Sequence, residues 1–161
     1  MRLLLATILS PLALLAGLIP SQKDVLTKNY LEKVRPPYTL ALRNKDTDAF
    51  KASVSGMQEL GQEIVAANSR IIIAAKRYTS YYYYYYDRGY YPPEIKTYEA
   101  ARAYTRRMEA VATGLETSNL KLTSFKGVEK MTPESIRETE AYLNLLTKEI
   151  EVHHIASMAV R

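Results

Sequence analysis

The sequence predicts an all-α protein of about four helices, with a long antiparallel helical hairpin over residues ~47–117 inside a small bundle. Two observations carry this. Apolar residues recur at seven-residue spacing through Phe50, Met57, Ile64, Ile71, Tyr78 and Tyr85, with Leu60, Ala67, Ala74 and Tyr81 on a companion line. Together they draw one apolar stripe along a long helix, as in a bundle or coiled coil. Helix starts and stops also fall where separate elements need them, at Ser21, at Asn44 to Asp48 and at Thr132-Pro133.

The chain begins with a lone charge at Arg2, then about 17 mostly apolar residues, 3–19. This is the n-region and h-region pattern of a secretory signal. It is short for a spanning helix, which usually wants about 20 apolar residues, and Ser10-Pro11 weakens it further. Residues 1–21 are therefore read as a signal peptide or an N-terminal membrane anchor, with cleavage expected after Ala16 or Ser21. Leu14-Leu15-Ala16-Gly17 resembles the start of a bacterial lipoprotein box, but Leu18 stands where the lipidated cysteine belongs, so lipidation there is ruled out. The protein is expected in the cell envelope, the periplasm or the medium, or else held in a membrane by residues 3–19.

Residues 22–161 read as a single helical domain, with no internal repeat and no linker. Ser21 to Asp24 resembles a capping box with Asp in place of Glu. The first helix, 22–34, is expected to stop at Arg35-Pro36-Pro37, because proline lacks the donor a helix interior needs. Residues 38–43 alternate briefly and suggest an extended connector. The long helix follows, weakened by Gly56 and Gly61 at about 1 kcal/mol each. Ile71 to Ala75 is apolar all round, so cover on more than one side is expected there. Propensity alone would also allow a strand at 71–73 and through the tyrosines, but the heptad line favours helix.

A reversal is expected at 87–93, then a second long helix over 93–117 with lines Tyr98, Thr105, Ala112 and Ala101, Met108, Leu115. Its small residues suit close approach to the preceding helix. Residues 118–131 read as a polar connector. Thr132 as N-cap and Pro133 at the first helical position open the last helix, with Ile136, Leu143, Leu146 and Ile150 on its inner face.

The most unusual feature is six consecutive tyrosines, 81–86, followed by Asp87-Arg88-Gly89-Tyr90-Tyr91-Pro92-Pro93. Eight of the 14 tyrosines fall within 11 residues. Such a run ignores both the helical and the strand period, so rings must face every direction. Three of six rings left bare at roughly 100–200 Å² each make a patch of about 300–600 Å², the size that marks a contact site. Tyr78, Tyr81 and Tyr85 continue the stripe. Tyr82, Tyr83, Tyr84, Tyr86, Arg88, Tyr90 and Tyr91 are the candidate interaction residues. The alternatives are a tolerated expansion at a loop tip, packing within the chain, an aromatic belt at a membrane interface, and stacking on a ligand.

The chemistry of catalysis is thin. There is no cysteine, which excludes disulfides, thiolate catalysis and cysteine metal sites. No P-loop, G-x-G-x-x-G or G-x-S-x-G appears. Both histidines, His153 and His154, lie at one end of the chain. Glu151 and His154 form an E-x-x-H, half of the set that di-iron bundles use, so a metal would need a homodimer to complete its ligands. The blander reading is a partly buried histidine pair near a helix C-terminus.

The formal charge of +5 is mild and mixed in sign, below what a nucleic-acid protein carries. Arg102, Arg106 and Arg107, with Lys96, are offset by Glu99 and Glu109, which suit ion pairs at i,i+3 spacing. The expected function is thus non-enzymatic: an exported structural or binding subunit of a larger assembly, with a protein partner or self-association. No cofactor, small-molecule substrate or nucleic acid is expected. The alternatives are a membrane-anchored accessory subunit touching the membrane interface and a homodimeric ferritin-like metal protein.

Overall fold

The computed structural model describes residues 21–86 and 98–160; of the side chains at Tyr78, Ser80 and 81–86 nothing is described. Among these residues the only regular elements are helices, and four helical columns pack together as a bundle. The elements are α1 (Gln22–Asn29), a π-helical turn (Tyr30–Val34), α2 (Arg35–Asn44), α3 (Thr47–Tyr86), α4 (Tyr98–Ser124) and α5 (Pro133–Ala159).

The first column is longer than expected. The Ser21 capping box forms, with the Ser21 side chain accepting from Asp24 N–H and the Asp24 carboxylate accepting from Ser21 N–H. The helix does not stop at Pro36-Pro37. It widens instead into the π turn, where Arg35 N–H reaches back five residues to the Tyr30 carbonyl. The two prolines then occupy the second and third positions of α2, within its first turn. There a missing N–H costs little, because the widened turn has already shifted the ladder that their rings would otherwise break.

Residues 38–43, expected to be extended, are helical. The core takes Tyr38, Ala41 and Leu42, at i, i+3 and i+4, and leaves Leu40 in water. Six residues were too few to separate the two periods. Lys45 ends α2 in the left-handed region at φ 54°, and Asp46 accepts from the N–H groups of Asp48 and Ala49 at 3.0 Å each, opening α3.

Direction is set by which residues meet. Rising along α3, its partners on α4 fall: Gln58 meets Phe125, Asn68 meets Ser118 and Lys76 pairs with Glu116. The hairpin is therefore antiparallel. Asn29 meets Glu63, and Tyr38 packs on Phe50, so α1–α2 also runs antiparallel to α3. Tyr142 bonds to Leu122 while Asn68 meets His153, which makes α5 antiparallel to α4 and parallel to α3. This is the up-down-up-down arrangement.

The main core is built from Leu26, Val34, Phe50, Met57, Leu60, Ile64, Leu122, Leu146 and Ile150, all buried. Each large apolar side chain removed from water stabilises the fold by about 1.5–3 kcal/mol. A second, smaller cluster of Ala75, Met108 and Ala112, touched by Ile72, Tyr104 and Val160, lies further along the hairpin.

Several sequence expectations change here. Ile73 is 59 % exposed, so 71–75 is not covered all round: Ala75 and Ile72 face α4, and Ile73 faces water. Tyr98, expected on the inner line of α4, is 51 % exposed. The helix start expected at Pro93 lies outside the described residues. α4 runs on to Ser124 rather than ending at 117, because Ser118 and Leu122 continue its buried stripe. Thr132 and Pro133 open α5 as expected, with a capping box closed by Ser135.

The glycines of α3 differ in role. A Cβ at Gly56 would meet nothing within 4 Å, whereas one at Gly61 would lie 2.2 Å from the Tyr142 hydroxyl. Gly56→Ala is thus expected to stabilise the protein by about 1 kcal/mol through helix propensity alone. A thermal melt should rise by about 2–4 °C.

Candidate functional site

Two regions stand out: a buried polar layer across the bundle, and the end of the hairpin that bears the tyrosines.

The layer is assembled from three helices. Asn68 on α3, Ser118 on α4, and Glu149 and His153 on α5 are all buried, and Asn119 on α4 borders them. The Asn68 amide donates to Asn119 Oδ1 at 2.9 Å and, at 3.4 Å, to Ser118 Oγ. Its donors being engaged, Asn68 Oδ1 accepts, and it lies 2.9 Å from His153 Nδ1. That arrangement places the imidazole proton on Nδ1. Ser118 in turn donates to Glu149 Oε2 at 2.6 Å. No buried side-chain polar atom among the described residues lacks a partner.

Desolvation, and secondarily the charge of His154, holds the His153 pKa below its ordinary value. The geometry does not resemble a catalytic one. The Ser118 hydroxyl is directed at Glu149 rather than at the imidazole, so the nucleophile–base contact of acyl transfer is not formed. What the layer does is fix register. Sliding any of the three helices by one turn would strand these groups in an apolar core.

The partly buried histidine expected near the end of α5 is His153, seven residues after Leu146 on the core line, but its partners were not anticipated. The signal was present. Asn68 stands four residues after Ile64, Ser118 three after Leu115 and Glu149 three after Leu146, so each is a polar residue on a core line.

Glu151 and His154 share a side of α5, one turn apart. Glu151 is exposed and paired with Lys23 at 2.7 Å, and the hydrogen bond from Lys23 holds its carboxyl below the usual range. Among the described residues no third acid or imidazole joins them, and no group of three or more potential ligands forms.

Of the candidate interaction residues, Arg88, Tyr90 and Tyr91 lie outside the described residues. Tyr82, Tyr83, Tyr84 and Tyr86 are within α3, which stays helical to Tyr86. Among the described residues, the last turns of α3 and the first of α4 run past the end of α5 at Ala159, forming a two-helix arm. Arg77, Arg102, Arg106 and Arg107 are exposed along it, and the Arg107 guanidinium lies 5.0 Å from the centre of the Tyr104 ring. The ion pairs among the described residues are Lys23–Glu151, Lys28–Glu32 and Lys76–Glu116. The pairs expected at Glu99–Arg102 and Arg106–Glu109 are not among them.

Two shallow clefts of about 480 and 550 Å³ flank the connector after α4, lined by residues such as Lys121, Phe125, Lys126 and Gln58. Each is lined by two lysines, one serine and one glutamate (Lys121, Lys126, Ser124 and Glu138; Lys51, Lys126, Ser55 and Glu129), and none of the ion pairs among the described residues joins these side chains. No helix of the described residues is long and apolar enough to cross a membrane. Comparison with known proteins finds no matching family model, no matching curated protein and no matching solved structure.

Proposed function

We propose that this protein is a non-enzymatic helical subunit, structural or binding, of a larger assembly, exported by residues 1–21, and that its two-helix arm makes the contact. The observation that carries this reading is the projection of α3 and α4 beyond α5. From Lys76 to Tyr86 the arm adds about 11 residues, or roughly 16 Å at the helical rise. Two helices cannot enclose a run of large rings that occupies more than one full turn. A partner or a second copy supplies the missing cover.

The test replaces Tyr82, Tyr83, Tyr84, Tyr86, Tyr90 and Tyr91 by serine and compares sedimentation and far-UV circular dichroism with the wild type. The expected result is loss of self-association or partner capture at unchanged helix content. A wild type that stays monomeric at high concentration and captures nothing would sink the proposal.

A membrane-anchored accessory subunit is the second reading. It is favoured by exposed Arg77, Arg102, Arg106 and Arg107 on the same arm as the tyrosines, a pairing suited to anionic headgroups. Mass spectrometry of the mature N-terminus separates the two. A start near Gly17 or Gln22 supports export, and an intact Met1 or Arg2 supports the anchor.

A further inference from the structure

We infer that the cleft between the end of α4, the connector after it and α5 is a binding site for a small, flat aromatic molecule that carries one anionic group. The site stands at the Gln58–Phe125 end of the hairpin, away from the arm that begins at Lys76–Glu116. It is therefore independent of the contact proposed above.

The cleft measures about 480 Å³, within the roughly 300–1,000 Å³ that small-molecule sites occupy. One wall is a single side of α5, where Glu138, Ala141, Tyr142 and Leu145 recur at i, i+3, i+4 and i+7. Opposite them stands Phe125, just past the end of α4. One face of its ring is covered by Tyr142, with centroids 4.0 Å apart and planes 13° from parallel. The ring is nevertheless only half-buried, and it lines the cleft. A flat ligand there extends a stack that the protein has already begun, and aromatic pairs contribute beyond the area they bury.

The segment that carries Phe125 is held in place before any ligand arrives. Gln58 Nε2 donates to the Phe125 carbonyl at 3.4 Å, and Gly127 turns the connector at φ 80° against the same Gln58 side chain. Rigidity of this kind lowers the cost of binding. The neighbouring cleft shares Lys126 and Gly127 but offers no ring, so it is not assigned the same ligand.

The charges select the anion and its end of the cleft. Because α5 runs antiparallel to α4, Tyr142 is level with Leu122, and Glu149 with Ser118. Lys121 thus stands toward the Leu145 end and Lys126 toward the Glu138 end. Lys126 and Glu138 offset each other's charge. At the other end the exposed ammonium of Lys121 is the one charge among the lining residues, and no ion pair among the described residues engages it. A carboxylate or sulfonate fits there, while a second anionic group would meet Glu138.

The test titrates the full-length chain with 2-naphthoate and follows backbone amides by nuclear magnetic resonance. Saturable shifts are expected in 121–127 and 138–145. Lys121→Gln should weaken the affinity about tenfold, as loss of a charge-assisted hydrogen bond does, and the neutral 2-naphthylmethanol should bind the wild type as weakly. Lys33→Gln, an exposed lysine of the first column that lines neither cleft, should change nothing. Ala141→Trp, which fills the cleft from an exposed position, should abolish binding. The saturated decahydro-2-naphthoate keeps the charge but cannot stack, and should bind less tightly than the flat acid. Absence of saturable shifts in these segments, undiminished affinity in Lys121→Gln or Ala141→Trp, or equal binding of the saturated acid would overturn the assignment. None of these readouts involves the arm or residues 1–21, so failure here leaves the proposed function untouched.

Discussion

Gly61→Ala is expected to destabilise the protein by about 2–4 kcal/mol, although alanine is the better helix former. A Cβ at this position would stand 2.2 Å from the Tyr142 hydroxyl and 3.4 Å from its ring carbon. The ring has little room to retreat, because it stacks on Phe125 at 4.0 Å between centroids. Its hydroxyl donates to the Leu122 carbonyl at 3.1 Å, and burial raises the phenol to about 12, so it stays protonated as a donor. Overpacking costs about 1–3 kcal/mol, and a buried hydrogen bond pulled apart about 1–3 more, against a propensity gain near 1 kcal/mol. Urea unfolding should show a lower midpoint at unchanged slope. Gly61→Ala combined with Tyr142→Phe should recover part of the loss, because the colliding oxygen is gone. A single variant as stable as wild type would show that α3 and α5 are less tightly apposed than described.

The polar layer carries the second large effect. Asn68→Ala removes the acceptor for His153 Nδ1–H and the donor to Asn119 in one step. Leaving such groups without partners costs about 1–3 kcal/mol each, less at part-buried Asn119, so a loss of about 2–4 kcal/mol is expected. Equilibrium unfolding checks it.

The same layer makes stability depend on pH. In the unfolded chain His153 takes a proton near pH 6.5, while in the fold desolvation opposes that charge. Below about pH 6.5 the unfolded state therefore binds more protons. Stability is complete above that value and falls as the pH drops, until the lowered pKa of the folded imidazole is reached. His153→Gln should flatten the slope of the unfolding midpoint below about pH 6.5. An unchanged slope would assign the acid sensitivity to other groups.

How much of this was legible in the residues depends on the range of the signal. Heptad lines over 40 residues average out local ambiguity, and so α3, the hairpin and the α5 inner face were readable. Capping at Ser21, Asp46 and Thr132 is chemistry within three or four residues and was equally plain. Pro36-Pro37 misled because a π turn upstream absorbs their effect, and no local rule announces such a turn. The segment 38–43 misled because six residues fit both periods. As for the candidate site, the stripe favoured helix into the tyrosines but did not mark where it ends; that α3 runs through Tyr82, Tyr83, Tyr84 and Tyr86 is a finding of the fold. The arm was not legible, since it exists only because α5 ends at Ala159 while α3 and α4 continue.

Composition, period and capping act at short range along the chain, and from them the helical fold, the long hairpin, an apolar stretch at residues 3–19 and the absence of thiol chemistry could all be read. That Gly61 is a contact point rather than a weak spot emerges only once α3 and α5 are packed together. Packing also joined Asn68, Ser118, Glu149 and His153 into one layer and carried α3 and α4 past the end of α5. Each of these depends on which residues of different helices stand at the same level, and that register follows from packing three or four helices at once. No single stretch of sequence contains it.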